Sequence, residues 1–208
     1  MATKPDVQTK GITEEEYSAL GSDVHAEVID GKLRILPPNI ALHGLISGTV
    51  GFLLLAFADA RRTGRVFSMT SFILRENPDR TLRDTLVPDV SYVSYKRLSE
   101  DADLNMFPRF APDLAAEVIS SSDTTHIMMT KIKLYLEYGV EQVWLVFPDD
   151  HEIRVCTPTH PLGQTFGMED TLTGGDVLPG FSVPMRAIFD EHDQELFVET
   201  LQALLKTE

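Results

Sequence analysis

"APDLAAEVISSSDTTHIMMTKIKLYLEYGVEQVWLVFP", residues 111 to 148, reads as strand, helix and strand in succession. In "DLAAEVIS" (113–120), period-two alternation puts Leu114, Ala116 and Val118 on one face and Ala115, Glu117 and Ile119 on the other. Both faces are apolar, so the strand is buried on two sides. "DTTHIMMTKIKLYLEYG" (123–139) has helical spacing, with Ser122 and Asp123 competing as N-cap and Gly139 just past its end. "EQVWLVFP" (141–148) is a second buried strand. A helix between two buried strands predicts a crossover, and therefore a mixed sheet with helices against its faces.

The rest of the chain adds elements around that unit. Thr13 followed by Glu16 is a capping box for a short helix ending near Gly21. "HAEVIDGKLRILPP" (25–38) alternates on both sides of Asp30-Gly31, a two-residue hairpin signal that predicts strands over 25–36. From Leu42 to about Arg62 the chain is apolar and free of proline, a mostly buried helix. "GRVFSMTSFILRE" (64–76) and "LVPDVSYVSYKRL" (86–98) each alternate as one strand, with a polar turn over 76–84 between them. "HEIRVCTP" and "GFSVPM" suggest edge strands, and residues 189–206 an amphipathic helix. Residues 1–11 are polar and expected to be loose, leaving 12–208 as a single domain.

Composition narrows the function. Hydrophobic residues at 43% and charged residues at 24% are globular values. The formal net charge of −14 argues against sequence-independent adhesion to phosphate backbones, so a nucleic-acid function needs a local basic patch or a metal. Candidate phosphate contacts are Arg61, Arg62 and Arg65, then Arg80 and Arg83, and Lys96 and Arg97; small clusters of this kind are more often ordinary solvated surface. Cys156 is the one cysteine and reads as packing. No stretch approaches the length of a membrane span, the most apolar being "GTVGFLLLAFADA" (48–60), and no signal core is visible; the chain reads as cytoplasmic. Zinc-type histidine pairs, a nucleophile elbow and phosphate-binding glycine motifs are absent.

The chemistry lies in acids where acids should not be. Glu117 stands in the middle of a two-faced apolar strand, and Asp89 shares a strand face with Val87 and Val93. A buried carboxylate costs several kcal/mol unless it is paired, neutralised or ligating a metal. If the two strands are neighbours, the acids approach each other and need a cation or a shared proton. Oxygen-only ligation favours a hard divalent ion such as magnesium. On the following helix, Ile127, Lys131, Leu134, Tyr135 and Tyr138 form one stripe, so Lys131 is the lysine on the inward face, while Lys133 points away. Glu27 in the first hairpin is a third acid, and His43 in "ALHG" is weighed as a cleft residue against a structural role at a helix end.

In this order, "EEEYSAL", "EVIDGKLRILPP", "LHG", "VPDVSYVS", "PDLAAEVISSSD", "KIKLYLEYGVEQVWLVFP" and "GGDVLPGFSVPM" resemble the bacterial putative restriction endonuclease domain family of the PD-(D/E)XK nuclease superfamily. The resemblance implies an α/β (α+β) fold with a restriction-endonuclease-like αβββαβ core, a central mixed sheet flanked by helices, and an N-terminal β-hairpin. It further implies a Mg²⁺ (or Mn²⁺)-dependent endonuclease acting on DNA. Asp89, Glu117 and the Val118 carbonyl would be its metal ligands, with Lys131 and Glu27 as further catalytic residues, and a homodimer is the expected assembly of a double-strand cutter. The chain departs from the pattern at Ile119, where the superfamily's lysine usually stands, and at Ser121, Ile127 and Ala26, where the family has proline, an acid and an aromatic. Two other readings are an inactive nuclease-like nucleic-acid- or protein-binding module and a purely structural dimerising domain. Metal binding that depends on Asp89 and Glu117 separates the enzyme from both.

Overall fold

The structure, a computed structural model, describes residues 7–8, 11–21, 23–120, 123–190 and 192–206. Its first elements are β1 (Val7–Gln8), α1 (Glu14–Ser18), β2 (Ala26–Ile29) and β3 (Lys32–Ile35). The capping box holds as read: the Glu16 N–H donates to Thr13 Oγ1 at 3.3 Å and the Thr13 N–H to Glu16 Oε2 at 3.0 Å. The helix is shorter than expected, ending at Ser18. Asp30 and Gly31 take φ of 50° and 74°, the left-handed pair that a two-residue turn requires, and set the register Ile29↔Lys32. Of the stretch expected to be loose, residues 7–8 pair with β3, and 1–6 and 9–10 lie outside the described residues.

Next come α2 (Ala41–Arg61), β4 (Gly64–Ser68), β5 (Phe72–Glu76), β6 (Leu82–Leu86), β7 (Val90–Ser94) and β8 (Leu114–Val118). Contrary to the sequence expectation, α2 at 21 residues is long and apolar enough to cross a membrane by length and composition alone. It is buried on one side only, and not mostly buried as expected: Ile46, Val50, Leu53, Leu54 and Phe57 pack among Val90, Tyr92, Leu114 and Ala116, while Leu42, Leu45, Phe52 and Leu55 are exposed. Each buried side chain of this kind stabilises the fold by about 1.5–3 kcal/mol.

Two runs that read as single strands are each divided between sheets. "GRVFSMTSFILRE" turns at Met69, whose φ is 49°, so β4 pairs with β7 while β5 pairs with β6. "LVPDVSYVSYKRL" breaks at Val87-Pro88-Asp89: Leu86 ends β6 in one sheet and Val90 begins β7 in the other. Pro88 has no N–H to give a ladder, which makes it a natural corner. The two corners meet, the Met69 N–H donating to the Asp89 carbonyl at 3.2 Å. Leu82–Asp84, expected in a polar turn, belong to β6.

The chain then forms α3 (Thr125–Glu137), β9 (Gln142–Phe147), β10 (Glu152–Cys156), β11 (Gln164–Phe166), β12 (Thr171–Gly174), β13 (Leu178–Pro184), α4 (Arg186–Phe189) and α5 (Gln194–Leu205). The cap of α3 is Thr124, which accepts from the Ile127 N–H; Asp123 instead accepts from the Ser120 N–H, and Ser122 lies outside the described residues. The expected helix over 189–206 is α5, which starts later than expected, behind the Asp193 cap, while the short α4 precedes it and ends at Phe189.

One sheet runs β1-β3-β2-β6-β5 and the other β11-β10-β9-β8-β7-β4, with β12-β13 a separate ribbon. In the second sheet β8 and β9 are parallel and joined through α3, as the opening stretch requires, and the other pairs are antiparallel. "HEIRVCTP" is therefore interior, covered at its far edge by β11. In chain order α2, β4, β7, β8, α3 and β9 make the αβββαβ core, a central mixed sheet with α2 on one face and α3 on the other. The N-terminal hairpin sits in the first sheet, beside β6. Cys156 is buried under α3, as packing.

Candidate active site

Asp89 stands at the Pro88 corner, immediately before β7. The β7–β8 register pairs Val90 with Ala116. Carried one residue back, it sets Asp89 beside the Glu117 end of β8. The Val118 N–H donates to Asp89 Oδ2 at 2.7 Å, and His43 Nε2, reaching over from the first turn of α2, lies 3.2 Å from the same oxygen. Asp89 Oδ1 has no hydrogen bond among the described residues.

Glu117 points to the α3 side of the sheet. Lys131 and Tyr135, one helical turn apart, both reach it. The Lys131 ammonium is 2.7 Å from Glu117 Oε2, and the Tyr135 hydroxyl donates to Oε1 at 2.5 Å. The same ammonium lies 2.7 Å from Glu27 Oε1, which also accepts from the Val87 N–H at 3.3 Å. Glu27 is fully buried and its Oε2 has no hydrogen-bond partner among the described residues. Glu27, Glu117 and Lys131 thus come from β2, β8 and α3, with Asp89 at the mouth of β7.

One ammonium faces more than one buried acid, and the electrostatics follow. Burial raises the Glu117 carboxyl; Lys131 pulls it back and the charges of Asp89 and Glu27 push it further, up to about 8. Burial alone would lower Lys131, but Glu117 and Glu27 outweigh it and hold the ammonium charged well above the usual lysine range. The Tyr135 hydroxyl is pushed well up by burial and by the neighbouring Glu117 charge. For His43 burial opposes the charged ring, yet the hydrogen bond and charge of Asp89 prevail and raise it.

Among the described residues no group of three or more His, Cys, Asp or Glu side chains is gathered to hold a metal ion. The smaller set of Asp89, Glu117 and the Val118 carbonyl is all oxygen, which suits a hard divalent cation. The unbonded Asp89 Oδ1 is free to ligate, whereas both Glu117 oxygens are taken by Lys131 and Tyr135. A cavity of about 30 Å³ adjoins Glu117, Val118, Lys131 and Tyr135, enough for a water-sized ligand. A wider open groove of about 1310 Å³ runs between α1 and residues 104–109, and its wall includes Met69 behind Asp89.

The side chains singled out in the sequence, Asp89, Glu117, Lys131 and Glu27, come together, with the Val118 amide on Asp89. Ile119 packs in the cluster beneath α3, and the lysine of the site arrives from the helix instead. Tyr135 was legible only as part of the inward stripe, and its bond to Glu117 needed the fold. Of the arginines weighed as phosphate contacts, Arg61 donates to the Leu204 carbonyl and Arg97 to Asp113, whereas Arg62 with Glu100 and Arg83 with Asp30 form pairs on the exposed surface.

Residues 14–186 match the model of the Uma2 family, described as "Putative restriction endonuclease". Among solved structures, the chain is similar to "a putative nuclease belonging to DUF820" from Anabaena variabilis, with a TM-score of 0.72 and 19% identity over 86% of this chain and 98% of that one. No curated protein matches.

Proposed function

The chain belongs to the Uma2 family of putative restriction endonucleases, and from that premise we propose that it is a Mg²⁺- or Mn²⁺-dependent endonuclease that hydrolyses DNA phosphodiester bonds. The observation that carries this reading is the Lys131 ammonium on Glu117, one strand away from Asp89. Asp89, Glu117 and the Val118 carbonyl would hold the divalent ion. When bound, that ion supplies an acidified water and charge stabilisation at the phosphate. Lys131 orients the attacking water or neutralises charge on the phosphate in the transition state. Glu27 holds Lys131 from behind, so the ammonium keeps its place if Glu117 turns toward a cation. DNA is the substrate, and a homodimer would set two sites on opposite strands.

A second reading is an inactive nuclease-like module that binds nucleic acid or protein. The net charge of −14 and the occupation of both Glu117 oxygens favour it. The two are separated by incubating supercoiled, linear and single-stranded DNA with wild type and Asp89→Ala in Mg²⁺ or Mn²⁺. The enzyme cuts with metal and Asp89→Ala does not. Equal cutting by both, or no cutting of any form by wild type, refutes the proposal.

A further inference from the structure

We propose that His43 is a positioning residue of this same site, holding Asp89 so that a single oxygen is presented to a divalent cation; the inference rests on the metal-dependent reading above. His43 heads the buried stripe of α2, whose other large members are Ile46, Val50, Leu53, Leu54 and Phe57. A polar ring in such a stripe is costly to bury without a partner. Its partner is Asp89 Oδ2, at 3.2 Å from Nε2, while Nδ1 is buried and unbonded among the described residues. The ring's polar contact is therefore spent on that one carboxylate.

Asp89 needs holding, because it lies at a corner between two sheets and not within a ladder. The Val118 amide from β8 and the His43 ring from α2 converge on Oδ2, so the carboxylate is gripped by one oxygen from two elements. Among the described residues Oδ1 is left without a hydrogen bond. A residue that orients a ligating group in this way typically contributes 10- to 100-fold in metal affinity, about the size expected here. A histidine that merely filled space under α2 would contribute to stability alone.

The test is Mn²⁺ binding by titration calorimetry to wild type, His43→Leu, His43→Gln and His43→Asn, with folding checked by circular dichroism. Glutamine carries an N–H donor at nearly the reach of Nε2; leucine carries none. The expected result is a Kd for His43→Leu weaker by about 10- to 100-fold, with His43→Gln restored close to wild type. If His43→Leu does not fold, the comparison of His43→Gln with His43→Asn, whose donor is shorter, serves instead: tighter binding by the glutamine variant is expected. Folded variants that all bind Mn²⁺ as wild type does, or a glutamine no better than leucine or asparagine, overturn the role of His43 and leave the nuclease reading standing. Wild type that binds no Mn²⁺ overturns the metal reading and this inference with it.

Discussion

The Lys131 ammonium lies 2.7 Å from Glu117 Oε2 and 2.7 Å from Glu27 Oε1, so one cation ties α3 to a strand in each of the two sheets. Its side chain is 12% exposed, and those of Glu117 and Glu27 are 10% and 0%. Water therefore does little to replace it.

Lys131→Met removes the cation and leaves the acids. Breaking a buried pair from one side costs about 3–5 kcal/mol, and unfolding by urea should show a loss of that order. A midpoint equal to that of wild type would mean the acids are solvated.

Glu117 makes stability depend on pH in a defined direction. Its carboxyl titrates at 4.5 in an ordinary setting and at about 8 in the fold. Between those values the folded chain binds the extra proton, so this contribution is complete at acid pH and is lost as pH rises through about 8. The melting temperature of wild type should fall across that window more steeply than that of Glu117→Gln. Parallel curves would refute the raised carboxyl.

The same proton links metal binding to pH. A cation taken up at Glu117 displaces it, so Mn²⁺ affinity should climb with pH toward about 8 and level off beyond. Calorimetry in two buffers of different ionisation enthalpy would register the released proton, and identical heats would count against Glu117 as a ligand.

Tyr135→Phe keeps the ring and removes the donor to Glu117 Oε1. An acceptor left unbonded in a buried place costs about 1–3 kcal/mol. Chemical denaturation measures it, and a loss below the error of the method would show that the hydroxyl is dispensable.

Arg97 offers a contrast outside the site. Its Nε donates to Asp113 Oδ1 at 2.7 Å, and its other nitrogens to the carbonyls of Ala111 and Gly139. Arg97→Ala should destabilise by about 1–3 kcal/mol. DNA cleavage per folded molecule should stay at the wild-type level; a selective loss of cleavage would bring Arg97 into the substrate path.

Local rules sufficed for part of this protein. Asp30-Gly31 determined the first hairpin, Thr13 and Glu16 the first cap, and the run from Leu114 to Phe147 the parallel crossover, because each depends on residues close in sequence. The same locality made Glu117 conspicuous as an acid in a two-faced apolar strand, and put Lys131 on the inward side of α3. Only the tertiary structure decided that residues 64–76 and 86–98 each divide between two sheets, since period-two alternation states which face a residue takes and not which sheet it joins. That division put Asp89 at a corner, brought Glu27 up behind Lys131 and let His43 reach Asp89. The residues of the site were readable one at a time; their company was fixed by long-range packing, which no short stretch encodes.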